Sequence, residues 1–162
     1  MSNPEGLAIA RQLIATEAQQ QTGFLDLGML GLTELPEEIH QLSHLRRLNL
    51  GGWYDDEDGR QHYSMNLLDS NDFTDAPLPP LRFPFLESLS IVYTWVSDLS
   101  SLSGLTSLRS LDCSEMWVSD LSPLSQLTRL QTRMALSSVL RGIVSAERGC
   151  SWFGRCVFGP TR

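Results

Sequence analysis

The segment running from Leu86 to Ser107, LESLSIVYTWVSDLSSLSGLTS, is followed from Leu108 to Arg129 by LRSLDCSEMWVSDLSPLSQLTR. The two superimpose when Leu86 is laid on Leu108, an offset of 22, with apolar residues in step: Leu86, Leu89, Ile91, Val96, Leu99, Leu102 and Leu105 match Leu108, Leu111, Cys113, Val118, Leu121, Leu124 and Leu127. A self-match with a period in the range of roughly 20 to 29 marks a solenoid in which each unit stacks on the next. Each Leu-x-Leu pair reads as a short strand with alternate side chains turned to one face.

The same pattern continues upstream. GFLDLGMLGLTELPEEIHQLSHLRRLNLGG, running from Gly23 to Gly52, holds Leu25, Leu27, Leu30, Leu32, Leu35, Ile39, Leu42 and Leu45, and the strand of Leu25 recurs at Leu48. From Leu48 to Leu89 the spacing widens to 41, and a shift of 41 still aligns Leu32 with Phe73 and Leu45 with Leu86. The second repeat therefore carries about 18 extra residues within 51 to 70, GGWYDDEDGRQHYSMNLLDS. An insertion of this kind is expected as a loop on one rim.

Before the first strand, Asn3-Pro4-Glu5 offers an N-cap, a proline for the first turn and an acid there. Leu7, Ala10, Leu13, Ile14 and Ala18 keep helical spacing, and Gly23 supplies a stop. The reading is a capping helix within 1–22, repeats over 23–131 with the inserted loop at about 51–70, and an irregular tail over 132–162. A cap is needed because the first repeat would otherwise show its apolar face to water.

The residues carry a resemblance. LDLGMLGLTELPEEIHQLSHLRRLNL resembles the unit that opens the arrays of many bacterial leucine-rich repeat proteins, Roco-type GTPases among them, and the VSDLSxLSxLT units are similar to those of internalins and of phosphatase-regulatory repeat proteins. The resemblance implies an α/β leucine-rich repeat solenoid of curved parallel strands with an N-terminal helical cap, and a role in protein recognition. The pattern departs at the position after the strand, where asparagine is usual. Thr94 and Met116 stand there, so the amide ladder of that turn is expected to be missing.

The fourth repeat breaks. After Leu130-Gln131-Thr132 the spacing puts Arg133 at the inward leucine position, and the period is then lost. Two accounts stand: a frameshifted or degenerate end, or a diverged C-terminal cap.

Charge and composition limit function. The 162 residues are 41% hydrophobic with net charge −7, and there is arginine but no lysine. Residues 1 to 127 hold 6 Arg and 18 acids, whereas 128 to 162 hold 6 Arg and Glu147 alone. An acidic body argues against nucleic acid, and no apolar run approaches the roughly 18 residues of a membrane span. With no signal peptide legible and an odd number of cysteines, the expectation is a cytoplasmic chain, with secretion as an effector lacking a cleavable signal left open.

The expected partner-binding positions are the outward residues of the strands: Asp26 and Gly28; Arg47, Asn49 and Gly51; Ser88, Ser90 and Val92; Ser110, Asp112 and Ser114. Exposed there, they would suit a shallow contact with another protein. Trp95 and Trp117, each one residue before an inward valine, either stack on each other along one flank or touch a partner. The insertion adds Trp53, Tyr54, Asp55, Asp56, Glu57, Asp58, Arg60, His62 and Tyr63, aromatics mixed with charge. Its acid run does not fit a helix-loop-helix calcium loop, since Tyr54 falls at the first ligand position counted back from Gly59.

No catalytic motif appears. Cys113 replaces Ile91 and reads as a buried small hydrophobe. The expected function is non-enzymatic protein binding through the concave face and the inserted loop, with no cofactor and no metal. The partner is a protein of unknown identity, and self-association through the open C-terminal end is the further expectation. The alternative is a truncated recognition fragment of a larger bacterial enzyme or effector, such as a Roco-type GTPase.

Overall fold

The computed structural model describes residues 3–75, 78–116, 118, 120–133 and 155–157. Helix α1 (Pro4–Gln20) begins at Asn3, whose side chain accepts from the Glu5 amide, and ends at Gln21 in the left-handed conformation. It buries Ala10 and Ile14 on the first repeat. The approach is close enough that a Cβ at Gly6 would lie 1.7 Å from the Leu30 carbonyl oxygen. Among the described residues no helix is long and apolar enough to cross a membrane.

The strands are β1 (Phe24–Asp26), β2 (Arg47–Asn49), β3 (Trp53–Asp55), β4 (Gln61–Tyr63), β5 (Ser88–Ser90), β6 (Ser110–Asp112), β7 (Gln131–Arg133) and β8 (Arg155–Val157). One sheet runs β1-β2-β5-β6-β7-β8, parallel from β1 to β7, and β3 and β4 form a separate pair. Each strand is a single Leu-centred triplet from β1 to β6 of this sheet, and the middle leucines stack: Leu25 on Leu48, then Leu89 and Leu111. Return segments on the convex side are single 3₁₀ turns, at Glu37–Gln41, Ser100–Leu102 and Ser122–Gln126. Stacked parallel strands joined by these returns, with the second repeat returning over 78–87 without a 3₁₀ turn, make this a leucine-rich repeat solenoid.

The core is one continuous row. Leu27, Leu50 and Ile91 bury a second layer behind the strand leucines, and Leu42, Leu45, Leu86, Leu102, Leu105 and Leu108 close the convex side. At about 2 kcal/mol for each fully buried leucine, this stack supplies most of the driving force.

Asp98 and Asp120 explain the shared spelling of the two matching repeats. Asp98 accepts from the Ser100 amide and hydroxyl, and Asp120 from the Ser122 amide, so each aspartate starts a 3₁₀ turn. Those hydrogen bonds hold both carboxyls below the usual aspartate value.

The turn after the strand contains a residue that the leucine pattern conceals. Asn71, aligned with Leu30 by the shift of 41, is buried and donates to the Leu27 and Leu50 carbonyls, both at 2.8 Å. Its oxygen accepts from the Leu30 and Leu32 amides at 3.3 and 2.8 Å. One amide thus satisfies four backbone groups across two repeats, the contact that the Thr94 and Met116 repeats are expected to lack. In the next repeat Thr94 meets only its own turn, donating to the Ile91 carbonyl at 2.6 Å.

Glu17 ties the cap to the array. Its buried carboxylate accepts from the Thr22 hydroxyl, the Gly23 amide at 2.7 Å and His44 at 2.8 Å. Burial raises its pKa, yet the hydrogen bonds from Thr22, Gly23 and His44 together outweigh that and hold it below the ordinary glutamate value.

The last parallel strand departs from the repeat spacing. Thr132, and not Arg133, pairs in register with Leu111, and Arg133 pairs with Asp112. The step is thus one shorter than the step from Leu89 to Leu111. Because a slip of one exchanges the two faces of a strand, this register gives the leucine position to a threonine and not to an arginine. Strand β8 then pairs antiparallel with β7, Thr132 opposite Cys156. The rest of the tail, and the two accounts of its origin, lie outside the described residues.

Asn71→Leu keeps the volume but strands four buried backbone groups, so it should cost about 3 to 4 kcal/mol. Thermal unfolding should show a fall in Tm of about 10 °C; an unchanged Tm would mean that water serves these groups equally well.

Candidate protein-binding face

The insertion in the second repeat folds as a hairpin. β3 and β4 pair antiparallel, Trp53 opposite Tyr63 and Tyr54 opposite His62. The acid run builds the turn between them. Asp56 accepts from the Asp58 and Arg60 amides at 2.9 and 2.8 Å and meets His62 Nε2 at 2.8 Å. Glu57 reaches Arg47 at 3.3 Å, and Asp58 reaches Arg60 at 3.0 Å.

This hairpin lies across the concave floor. Gly52 donates to the Val92 carbonyl, the Ser90 hydroxyl donates to the Trp53 carbonyl, and the Trp53 indole donates to Asp112 at 3.3 Å. Tyr54 packs on Phe24 with ring centroids 4.7 Å apart, and the Arg47 guanidinium lies 4.9 Å above the Phe24 ring. Ser64, just after β4, bonds both Asp26 oxygens, and Asp26 also accepts from Asn49 at 2.8 Å. The chain can lie this flat because of glycine: a Cβ at Gly51 would sit 2.5 Å from the Val92 nitrogen and oxygen.

The expected open floor is therefore corrected. Asn49, Ser90, Val92, Asp112 and Ser114 are buried, as are Gly28 and Gly51, while Asp26, Arg47, Ser88 and Ser110 are half-buried. The extra residues after β2 had to leave at the C-terminal ends of the strands. Folding back over a row of hydroxyls, amides and carboxylates gave their backbone hydrogen-bond partners.

Electrostatics follow this cover. Burial first, and then the nearby charge of Asp26, raise the pKa of the Tyr54 phenol. Burial pushes the Cys113 thiol up to about 12, which removes it as a nucleophile at neutral pH. Asp56 is held below the usual aspartate value, chiefly by the hydrogen bond with His62 and then by the Arg60 amide.

Beside the exposed charges of Glu57, Asp58 and Arg60, large apolar side chains remain exposed. Tyr63 is 72%, Met65 84% and Leu67 88% exposed, all on the chain leaving the hairpin. Tyr63 meets Trp53 edge-on, and Trp53 meets Tyr93 edge-on at 5.2 Å. Tyr93 and Trp95 occupy the turn after β5, both with φ of +57°. Left-handed backbone costs a non-glycine residue about 1 kcal/mol, and the matching position to Trp95 in the first repeat is Gly31, also at positive φ. Yet Trp95 gains little from burial, being 54% exposed. The alternative of a Trp95–Trp117 stack involves Trp117, which lies outside the described residues.

No family model matches the sequence, and no curated relative matches it. Among solved structures the chain is similar to internalin C2 of Listeria monocytogenes, at 18% identity over 85% of this chain and 69% of that one, with a TM-score of 0.41. It is also similar to a second internalin of that organism, inlF, at 19% identity over 85% of this chain and 53% of the other, with a TM-score of 0.34. The chain thus spans about half the length of the second.

Two outcomes are expected. Trp95→Gly relieves the left-handed strain and should leave stability unchanged or raise it by up to about 1 kcal/mol; a loss of that size in chemical denaturation would show the ring to be packed. Because the Asp56 pKa is depressed in the fold, its contribution is present above the ordinary aspartate pKa and is lost as pH falls through the lowered value. Protection of the Asp58 and Arg60 amides against hydrogen exchange should hold from neutral pH down to the ordinary aspartate pKa of about 3.9 and fall only below it, and Asp56→Ala should remove it at neutral pH.

Proposed function

We propose that the chain is a non-enzymatic protein-binding module whose contact surface is the outer side of the β3–β4 hairpin together with the turn after β5. The observation that carries this reading is the set of exposed Tyr63, Met65, Leu67, Tyr93 and Trp95 on a rigid frame. Large exposed apolar side chains grouped on one surface mark interaction sites, and tyrosine and tryptophan carry disproportionate interface energy.

The mechanism is preorganisation. The hairpin is held by Ser90, Asp112 and Asp26 before any partner arrives, so binding demands little further ordering. The concave strand row, the first candidate from sequence, is displaced as the contact surface because the hairpin occupies it. A recognition fragment of a larger enzyme or effector would use the same surface.

A photo-crosslinking residue placed at Leu67, with one at the exposed convex Ser103 as control, tests the reading. Extracts of the native host should give a discrete crosslinked protein from position 67 and none from 103. Crosslinking only from 103, or equally from both, would sink it. Tyr63→Ser with Leu67→Ser should abolish the crosslink while shifting stability by no more than about 0.5 kcal/mol.

A further inference from the structure

We infer that the flank formed by the post-strand turns receives a cationic segment of a partner protein, one carrying arginine or lysine around an aromatic or aliphatic anchor. This rests on the protein-binding reading above and adds the chemistry of the partner.

The apolar half of the argument is the continuity of the patch. Leu68 donates its amide to the Met29 carbonyl at 3.1 Å, and a Cβ at Gly52 would touch both Met29 and Tyr93. Tyr93 contacts Trp53, and Trp53 contacts Tyr63. An apolar run thus extends from the first repeat to the turn holding Trp95. Two of its aromatics sit in left-handed backbone that glycine would fill without strain. Strain kept at exposed residues, where burial does not offset it, points to function.

The charge half comes from what surrounds the run. The turn segments 28–35, 64–75, 92–99 and 114–121 together carry seven acids and no arginine, lysine or histidine. Asp72 and Trp95 hold matching positions in adjacent repeats, and the Phe73 amide bonds the Thr94 carbonyl to join those two turns. Glu115 matches Tyr93 one repeat further, likewise at φ of +57°. Asp98 and Asp120 hold the same place in adjacent repeats, and Asp120 disfavours the charge on Asp98 less than the Ser100 cap favours it. Among the described residues, Asp98, Glu115 and Asp120 form no ion pair. Arg46 and Arg109 lie on the other approach to the strands, where they share Glu87.

The hairpin end of the run carries Arg60 and His62, whereas around Tyr93 and Trp95 the neighbouring turns carry Asp98, Glu115 and Asp120, and it is this end that is complementary to a segment with cationic heads and an apolar anchor. Trp95 and Tyr93 offer ring faces to a guanidinium, and the aspartates offer it acceptors. A second copy docking by the same face would bring carboxylate against carboxylate. Nucleic acid and anionic lipid meet the same repulsion.

The test is selection of a random peptide library displayed on phage against the full chain. Enriched peptides are resynthesised and measured on wild type, Trp95→Gly and the double variant Asp98→Asn with Asp120→Asn, whose amide oxygens still cap the serine turns. The expected peptides are net positive with an aromatic or aliphatic anchor. Trp95→Gly should weaken them at least about tenfold with Tm retained. The aspartate variant should weaken them by about fivefold, and raising salt from about 0.05 to about 0.3 M should weaken them further. Neutral or acidic peptides that still depend on Trp95 would overturn the cationic chemistry and leave the protein-binding reading standing. Peptides indifferent to Trp95→Gly, or no enrichment at all, would overturn both. A concentration-dependent dimer in sedimentation that Trp95→Gly abolishes would replace the cationic partner by a second copy.

Discussion

A strand as short as Leu and its two neighbours buries almost nothing by itself, and every other feature follows from the stacking that overcomes this. Leu25, Leu48, Leu89 and Leu111 sit directly on one another because the parallel register holds them there. The main-chain bonds of that register continue one step past each strand, from Leu27 to Asn49, Leu50 to Ser90 and Ile91 to Asp112. Stability in such an array is a sum over neighbours. The N-terminal end is therefore sealed by α1 through Ala10, Ile14 and Glu17.

Tight packing of short strands leaves polar groups to satisfy at each turn, where the backbone departs from the ladder close to the core. The repeats do so in different ways. Asn71 serves four groups of two turns, Thr94 serves one, and the aspartates of the VSDL units serve the return segments. The post-strand turn bends through left-handed residues, at Met29, Gly31, Tyr93, Trp95 and Glu115. Trp95 stands where the first repeat has Gly31, and with Tyr93 it gives that flank its chemical character.

The hairpin converts a groove into a filled surface. A bare concave floor would present Asn49, Ser90 and Asp112 to a partner; here they hold Asp26, the Trp53 carbonyl and the Trp53 indole. Recognition moves outward, to the side chains the hairpin carries on its far side and to the turn beside it. The insertion is thus both the lining of the old site and the wall of the new one.

Much of the fold was legible in the residues alone, because leucines recurring at fixed offsets over a constant period have few other solutions. The inward set, the buried character of Cys113 and the location of the insertion could all be read that way. Asn71 was harder to read: its counterparts Leu30, Thr94 and Met116 carry no amide, so no repeated letter marks it. What the sequence could not decide was where the insertion goes. Its mixed aromatics and acids have no periodicity, and their path depends on hydrogen-bond partners contributed by strands up to 59 residues away, as in the Trp53 to Asp112 contact. The register of β7 was hidden for a related reason: its pairing, Thr132 with Leu111 and Arg133 with Asp112, is defined against the neighbouring strand and departs from the repeat interval. Local repetition determined the solenoid, and contacts remote in sequence determined which of its surfaces stays open.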